Sequence, residues 1–240
     1  MSFSSIIKKT IWKLGFDIRR MSASESEVAR RRKLLQSYSI DVTLDVGANK
    51  GQFAEHLRND LGFQGIIISF EPVSAALAVL DQKSYFDSKW KVEGYALGAT
   101  SEKKTINISK NSYSSSFLNM LPAHKKAASD SVYIDEEVVE VNTLDGVFDK
   151  LNIKGKNIFL KLDVQGFECD VLNGAKDSLK YIDTIQLELS LSPMYENELL
   201  FPEMIAYLHK LGYHLVSIDG TFADQINGEL LQVDGIFHKI

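Results

Sequence analysis

The sequence predicts an α/β fold: a mostly parallel seven-stranded sheet with helices on both faces and an antiparallel hairpin at one edge. Three observations predict it. Short apolar runs alternate with helical stretches from Val42 onward, the first run ends in a turn containing Gly47 and Gly51, and the last two runs are joined by a short polar loop. Parallel neighbours need crossovers of helix size, whereas a short polar loop suits an antiparallel pair.

In chain order, residues 1–38 form a helical extension. Ile7, Ile11, Leu14 and Ile18 recur every three or four positions in residues 5–20, making one helical stripe with a basic opposite side and a weak point at Gly15. Such a stripe suits docking on the chain's own domain or on a second copy in a homo-oligomer, and a peripheral membrane contact uses the same pattern. A second helix is expected from Glu25 to Tyr38, with its arginine cluster read as a solvated face.

Residues 39–240 form the α/β domain. Its strands are expected at 42–46, 65–70, 91–97, 157–163 and 184–189, its helices at 52–61, 75–83, 168–179 and 201–211, and its edge hairpin at 213–218 and 232–237. Residues 100–142 break the rhythm. Stretches 101–109 and 136–142 read as extra strands around the serine-rich run 111–117, an insertion over the sheet's carboxyl edge, where loops build substrate sites.

A chain of 240 residues, 45% of them hydrophobic, buries one sizeable core. Its net charge of −5 argues against nucleic acid as a partner, although the segment from Lys8 to Lys33 holds nine Lys and Arg against Asp17, Glu25 and Glu27. The single cysteine, Cys169, excludes an internal disulfide framework and suits a cytoplasmic address. No apolar run approaches the ~18 residues of a membrane span, while the basic amphipathic start keeps the inner face of the membrane open as a location.

The chemistry gathers at strand ends, where open parallel sheets bind ligands. After the first strand, Gly47 and Gly51 permit a tight turn and a close backbone approach. Glu71 follows Gly47 by 24 residues and ends the next strand, near the ~20-residue spacing at which a carboxylate reaches ribose hydroxyls. A dinucleotide needs a third glycine that is missing here, and Asp45 beside the turn suits a sulfonium better than a pyrophosphate. That favours S-adenosyl-L-methionine.

On these residues the sequence resembles the FkbM family of class I methyltransferases, from about Thr43 to the C-terminus. The resemblance is carried by Asp45-Val-Gly-Ala-Asn-Lys-Gly-Gln-Phe53, Phe70-Glu-Pro72, Thr143-Leu-Asp145, Leu160-Lys-Leu-Asp-Val-Gln-Gly-Phe-Glu168 and Val171-Leu-Asn-Gly-Ala175. It implies a Rossmann-like methyltransferase sheet, Gly47 and its neighbours around the methionine part of the donor, and Glu71 on the ribose. It also implies methyl transfer to a hydroxyl oxygen, typically of a sugar or polyketide. The cofactor set is then Asp45, Gly47, Ala48, Asn49, Gly51, Phe53, Glu71, Pro72, Ser116 and Asp163. Where the family motif often carries Glu, this chain has Gln165, and no catalytic role is assigned to it.

The catalytic candidates are Asp163, Glu188 and His124. Asp163 and Glu188 end, or nearly end, two consecutive strands, and either serves as a base for an acceptor hydroxyl or as a ligand of Mg²⁺ that acidifies it. Glu168 serves equally as a charge in the first turn of its helix. His124, in the insertion, is poised near neutral pH for proton transfer, and an exposed loop position accounts for it as well. Tyr195 is a candidate wall for the acceptor. The acceptor expected is a glycan or small molecule. Two other classes share these features: an oxidoreductase binding NAD or a nucleotide sugar, and a non-catalytic partner subunit.

Overall fold

The computed structural model describes residues 3–239, so residues 1 and 2 of the expected extension and residue 240 of the expected domain lie outside it. The extension comprises α1 (Phe3–Trp12) and α2 (Glu27–Ser37). The expected first helix stops at Trp12, because Gly15 takes a left-handed conformation (φ 82°) that an α-helix does not continue through. Ile7, Leu14 and Ile18 of the anticipated stripe are therefore exposed, together with Trp12, Phe16 and Met21. No helix among the described residues is long and apolar enough to cross a membrane.

The chain then alternates as its pattern requires: β1 (Val42–Val46), α3 (Gln52–Asn59), β2 (Ile66–Phe70), α4 (Ser74–Ser84) and β3 (Trp90–Glu93). Next comes β4 (Ala96–Leu97), and the insertion supplies β5 (Glu102–Ser109), α5 (Pro122–Ala127) and β6 (Tyr133–Asn142). After it come α6 (Leu144–Leu151), β7 (Ile158–Leu162), α7 (Glu168–Asn173), β8 (Ile182–Ser190), α8 (Phe201–Lys210), β9 (Tyr213–Ala223) and β10 (Leu230–Lys239). The seven-stranded sheet has the order β3-β2-β1-β7-β8-β10-β9, parallel except for β10, which runs antiparallel to both β8 and the edge strand β9. The run 91–97, expected as one strand, divides. Its first part joins the main sheet, and Ala96–Leu97 joins β5 and β6 in a three-stranded sheet.

Alternation along the strands sorts two cores. In β7, Ile158, Leu160 and Leu162 pack toward α6, α7 and α8, whereas Phe159 packs toward α2, α3 and α4. The motif residues Thr143 and Asp145 serve this packing. Thr143 caps α6, and Asp145 accepts hydrogen bonds from the backbone N–H of Asp177 and Ser178 and from the Ser178 hydroxyl.

Near the carboxyl edge the face toward α3 turns polar. Ser69, Asp45, Lys161 and Gln186 are cross-strand partners in a buried row. The Lys161 ammonium pairs with Asp45 and Asp163 at 3.2 Å each. Burial opposes the Lys161 charge, yet Asp163 and Asp45 raise its pKa. Removing one member of such a group strands the other's charge in the interior. Lys161→Met is therefore expected to destabilise the fold by about 3–5 kcal/mol in urea denaturation, and adding Asp45→Asn to it should recover part of that loss.

Candidate active site

Register builds the site. Val46 pairs with Phe70 and with Leu162, and Leu162 pairs with Leu187. The next residue on each strand falls at the carboxyl edge, so Glu71, Gly47, Asp163 and Glu188 stand in one line. Asp234 of β10 extends it by pairing with Glu188. Residues scattered over most of the chain thus meet along one sheet edge.

At one end of the line lies an apolar chamber walled by Phe70, Pro72, Val73, Leu97, Ile106 and Phe117. Glu71 stands at its rim, 5% exposed, and its two carboxylate oxygens accept hydrogen bonds from the backbone N–H of Asn49 (2.7 Å) and Val73 (2.8 Å). Burial pushes the Glu71 carboxyl up to about 7. Gly47, at φ 75°, passes so close to the Asp163 carbonyl that a Cβ would collide with it. An apolar slot with a carboxylate at its mouth fits a purine and its ribose diol, and the buried Asn49 Oδ1 lacks a partner there.

Next along the edge is a polar chamber lined by Arg31, Phe53, Lys161, Asp163, Gln186 and Glu188, among others. Its organiser is Gln165, at φ 55° in the loop after β7. The Gln165 amide nitrogen donates to Asp163 (2.8 Å) and to Glu188 (3.0 Å), and its amide oxygen accepts from the Tyr195 hydroxyl (2.7 Å). The Ser116 hydroxyl donates to the Gln165 carbonyl (2.7 Å), and Glu168 accepts from the N–H of Val164 and Gly166 (3.3 Å each). One loop is thus pinned from three sides. Burial, then the charges of Asp163, Asp234 and Glu168, hold the Glu188 carboxyl well above its usual range.

A third chamber opens beyond Gln165 and Glu188, with Tyr113 and Phe222 as aromatic walls and Asn111, Ser114 and His124 as polar groups. His124 lies on α5, 4% exposed, with Tyr195 edge-on at 5.1 Å between ring centroids and Nδ1 unpartnered. Burial lowers its pKa, which favours the neutral ring. The exposed loop position that its sequence context allows is not what the fold provides. Gln165 and Tyr113 line all three chambers.

Four further placements differ from the sequence reading. Asp45 is fully buried behind Lys161, which neutralises it and removes it as a direct sulfonium contact. Gly51 starts α3 and is pressed on Leu80 and Trp90, so its missing side chain serves the core rather than a ligand. Ser116 is committed to Gln165 and acts on the site through it. The Mg²⁺ expectation finds no donor set: Gln165 puts amide hydrogens between Asp163 and Glu188, and among the described residues no group of three or more His, Cys, Asp or Glu is arranged around a metal. Ala48, Asn49, Phe53 and Pro72 do line the cleft. Gln165, Lys161 and Arg31 are the residues that sequence reasoning passed over. Lys161 carried a signal, since a lysine two positions before a strand-end Asp shares its face and demands a carboxylate.

A family model described as the methyltransferase FkbM domain matches residues 45–215. No curated protein matches the chain. Among solved structures, the chain is similar to magnesium protoporphyrin IX methyltransferase of Synechocystis with bound SAM, at 8% identity over 89% of this chain and 78% of that one, TM-score 0.48. It is also similar to fibrillarin of Aeropyrum pernix in complex with S-adenosyl-L-methionine, at 11% identity over 82% of this chain and 66% of that one, TM-score 0.48.

The raised carboxyls set a pH dependence. Burial moves Glu71 and Glu168 from the ordinary 4.5 to about 7 and Asp234 from 3.8 to about 6. The folded chain therefore holds protons that the unfolded chain releases, and stability falls as pH rises through that window. Chemical denaturation of the ligand-free protein should give a higher midpoint at pH 5 than at pH 8, and Glu71→Gln should flatten the decline.

Proposed function

The chain belongs to the FkbM methyltransferase domain family, and on that premise we propose that it transfers the methyl group of S-adenosylmethionine to a hydroxyl oxygen of a sugar or glycan. The observation that carries the reading is Glu188, held by Gln165 between the polar chamber and the aromatic-walled third chamber. A sugar ring offers apolar faces to Tyr113 and Phe222 and hydroxyls to Asn111, Ser114 and the unpartnered Nδ1 of His124.

When bound, S-adenosylmethionine supplies an electrophilic methyl carbon on a sulfonium. The residues of the chain do the rest. Glu71 accepts from the ribose hydroxyls, the Gly47 turn lets the backbone approach, and Asp163 and Glu188 supply negative potential. Glu188 is placed to take the proton of the acceptor hydroxyl, a general-base task for a carboxylate that stands at the junction of the polar and third chambers. Gln165 keeps Glu188 in place, and Tyr195 fixes which way the Gln165 amide faces. Neutral His124 accepts or relays a hydrogen bond from the acceptor. The exposed Ile7, Trp12, Leu14, Phe16 and Ile18, with Lys8, Lys9 and Lys13 among them, support delivery of a lipid-linked acceptor at an anionic membrane surface.

Incubation with isotope-labelled S-adenosylmethionine and a panel of glycans and hydroxylated metabolites should yield an O-methylated product. Label found on nitrogen or carbon instead would contradict the reading. Glu188→Gln should lower kcat by about 10²- to 10⁴-fold while leaving S-adenosylhomocysteine affinity nearly unchanged.

A further inference from the structure

We infer that Arg31 anchors the carboxylate at the amino-acid end of the methyl donor, which makes the N-terminal helix α2 part of the cofactor site. The inference rests on the S-adenosylmethionine reading above. The apolar and polar chambers share Gly47, Asn49, Tyr113, Asp163 and Gln165, so they are two halves of one cleft. A donor with its ribose on Glu71 extends its amino-acid end into the polar half. That end carries an ammonium and a carboxylate.

The ammonium is matched by acids that line this half, Asp163 and Asp234. The carboxylate needs a cation, and Arg31 and Lys161 are the two among the lining residues. Lys161 is engaged: its three N–H groups face Asp45 and Asp163 at 3.2 Å and the Gly47 carbonyl at 3.4 Å. Arg31 is not. It is 9% exposed, it reaches Asp234 through Nη2 at 3.3 Å, and its Nε has no partner. A buried guanidinium N–H left unpaired is costly, and a carboxylate is the group whose geometry satisfies it best.

Two further features converge on the same place. The amino end of α3 has no side-chain cap, and its first residues, Gln52 and Phe53, line the chamber, so the N–H groups there favour a negative charge. Arg30, one position before Arg31, bonds Ser217 at 2.9 Å and pairs with Asp219, which fixes α2 on the edge hairpin and Arg31 over the cleft.

The test is isothermal titration of the full chain with two ligands. S-adenosylhomocysteine carries the amino-acid end, and 5′-methylthioadenosine keeps the nucleoside and sulfur without it. Arg31→Gln should weaken S-adenosylhomocysteine by about 10- to 100-fold and leave 5′-methylthioadenosine unchanged, which also shows that the variant is folded. Arg31→Lys, which keeps the charge but not the fork of donors, should fall between. Loss of both ligands in equal proportion, or of neither, overturns the role of Arg31 while the cofactor reading stands. A wild-type protein that binds neither ligand overturns both.

Discussion

Two carboxylates on adjacent strands of a half-buried sheet edge repel one another, and the Gln165 amide is what lets this protein keep them side by side. Its nitrogen donates to Asp163 and Glu188 while its oxygen is taken by Tyr195, so every atom of the amide is used and its orientation is fixed. The loop carrying it is left-handed at Gln165 and is held by Ser116 and Glu168. All three chambers meet at this side chain. A Glu at the same position would add a third negative charge where the amide now supplies hydrogens.

The second constraint is the layering of polar rows across the sheet. Ser69, Asp45, Lys161 and Gln186 form a buried row, and Glu71, Gly47, Asp163, Glu188 and Asp234 form the row above it at the edge. Lys161 joins the two rows and neutralises the lower one, so the negative potential of the cleft comes from the edge residues alone. Such a core is a poor way to gain stability. It is a good way to fix carboxylates at defined heights above a rigid sheet, which is what a charge-developing reaction needs.

Much of this was legible in the sequence because strand patterning and parallel register are local properties with a global consequence. Short apolar runs between helical stretches located the strands, and once consecutive strands are parallel neighbours, Asp163 and Glu188 must stand together. The turn at Gly47 and the spacing to Glu71 pointed to the same sheet edge. What escaped the reading depends on contacts between distant segments. Arg31 looks like one cationic residue of a solvated cluster until β10 brings Asp234 beside it, 203 positions later in the chain. His124 reads as a loop residue until Tyr195 and Phe222 close over it. Asp45 sits beside the glycine turn in sequence, but strand alternation turns it into the sheet, under Lys161. Gln165 was passed over because it departs from the family pattern, whereas the amide itself is the device that joins the two acids.

The most direct test of the account is a crystal structure of the protein with S-adenosylhomocysteine. The ribose hydroxyls are expected on Glu71, the adenine in the apolar chamber, and the sulfur facing the Asp163–Gln165–Glu188 junction, open to the third chamber. A ligand whose ribose lies away from Glu71, or whose sulfur is walled off from Glu188, would contradict it.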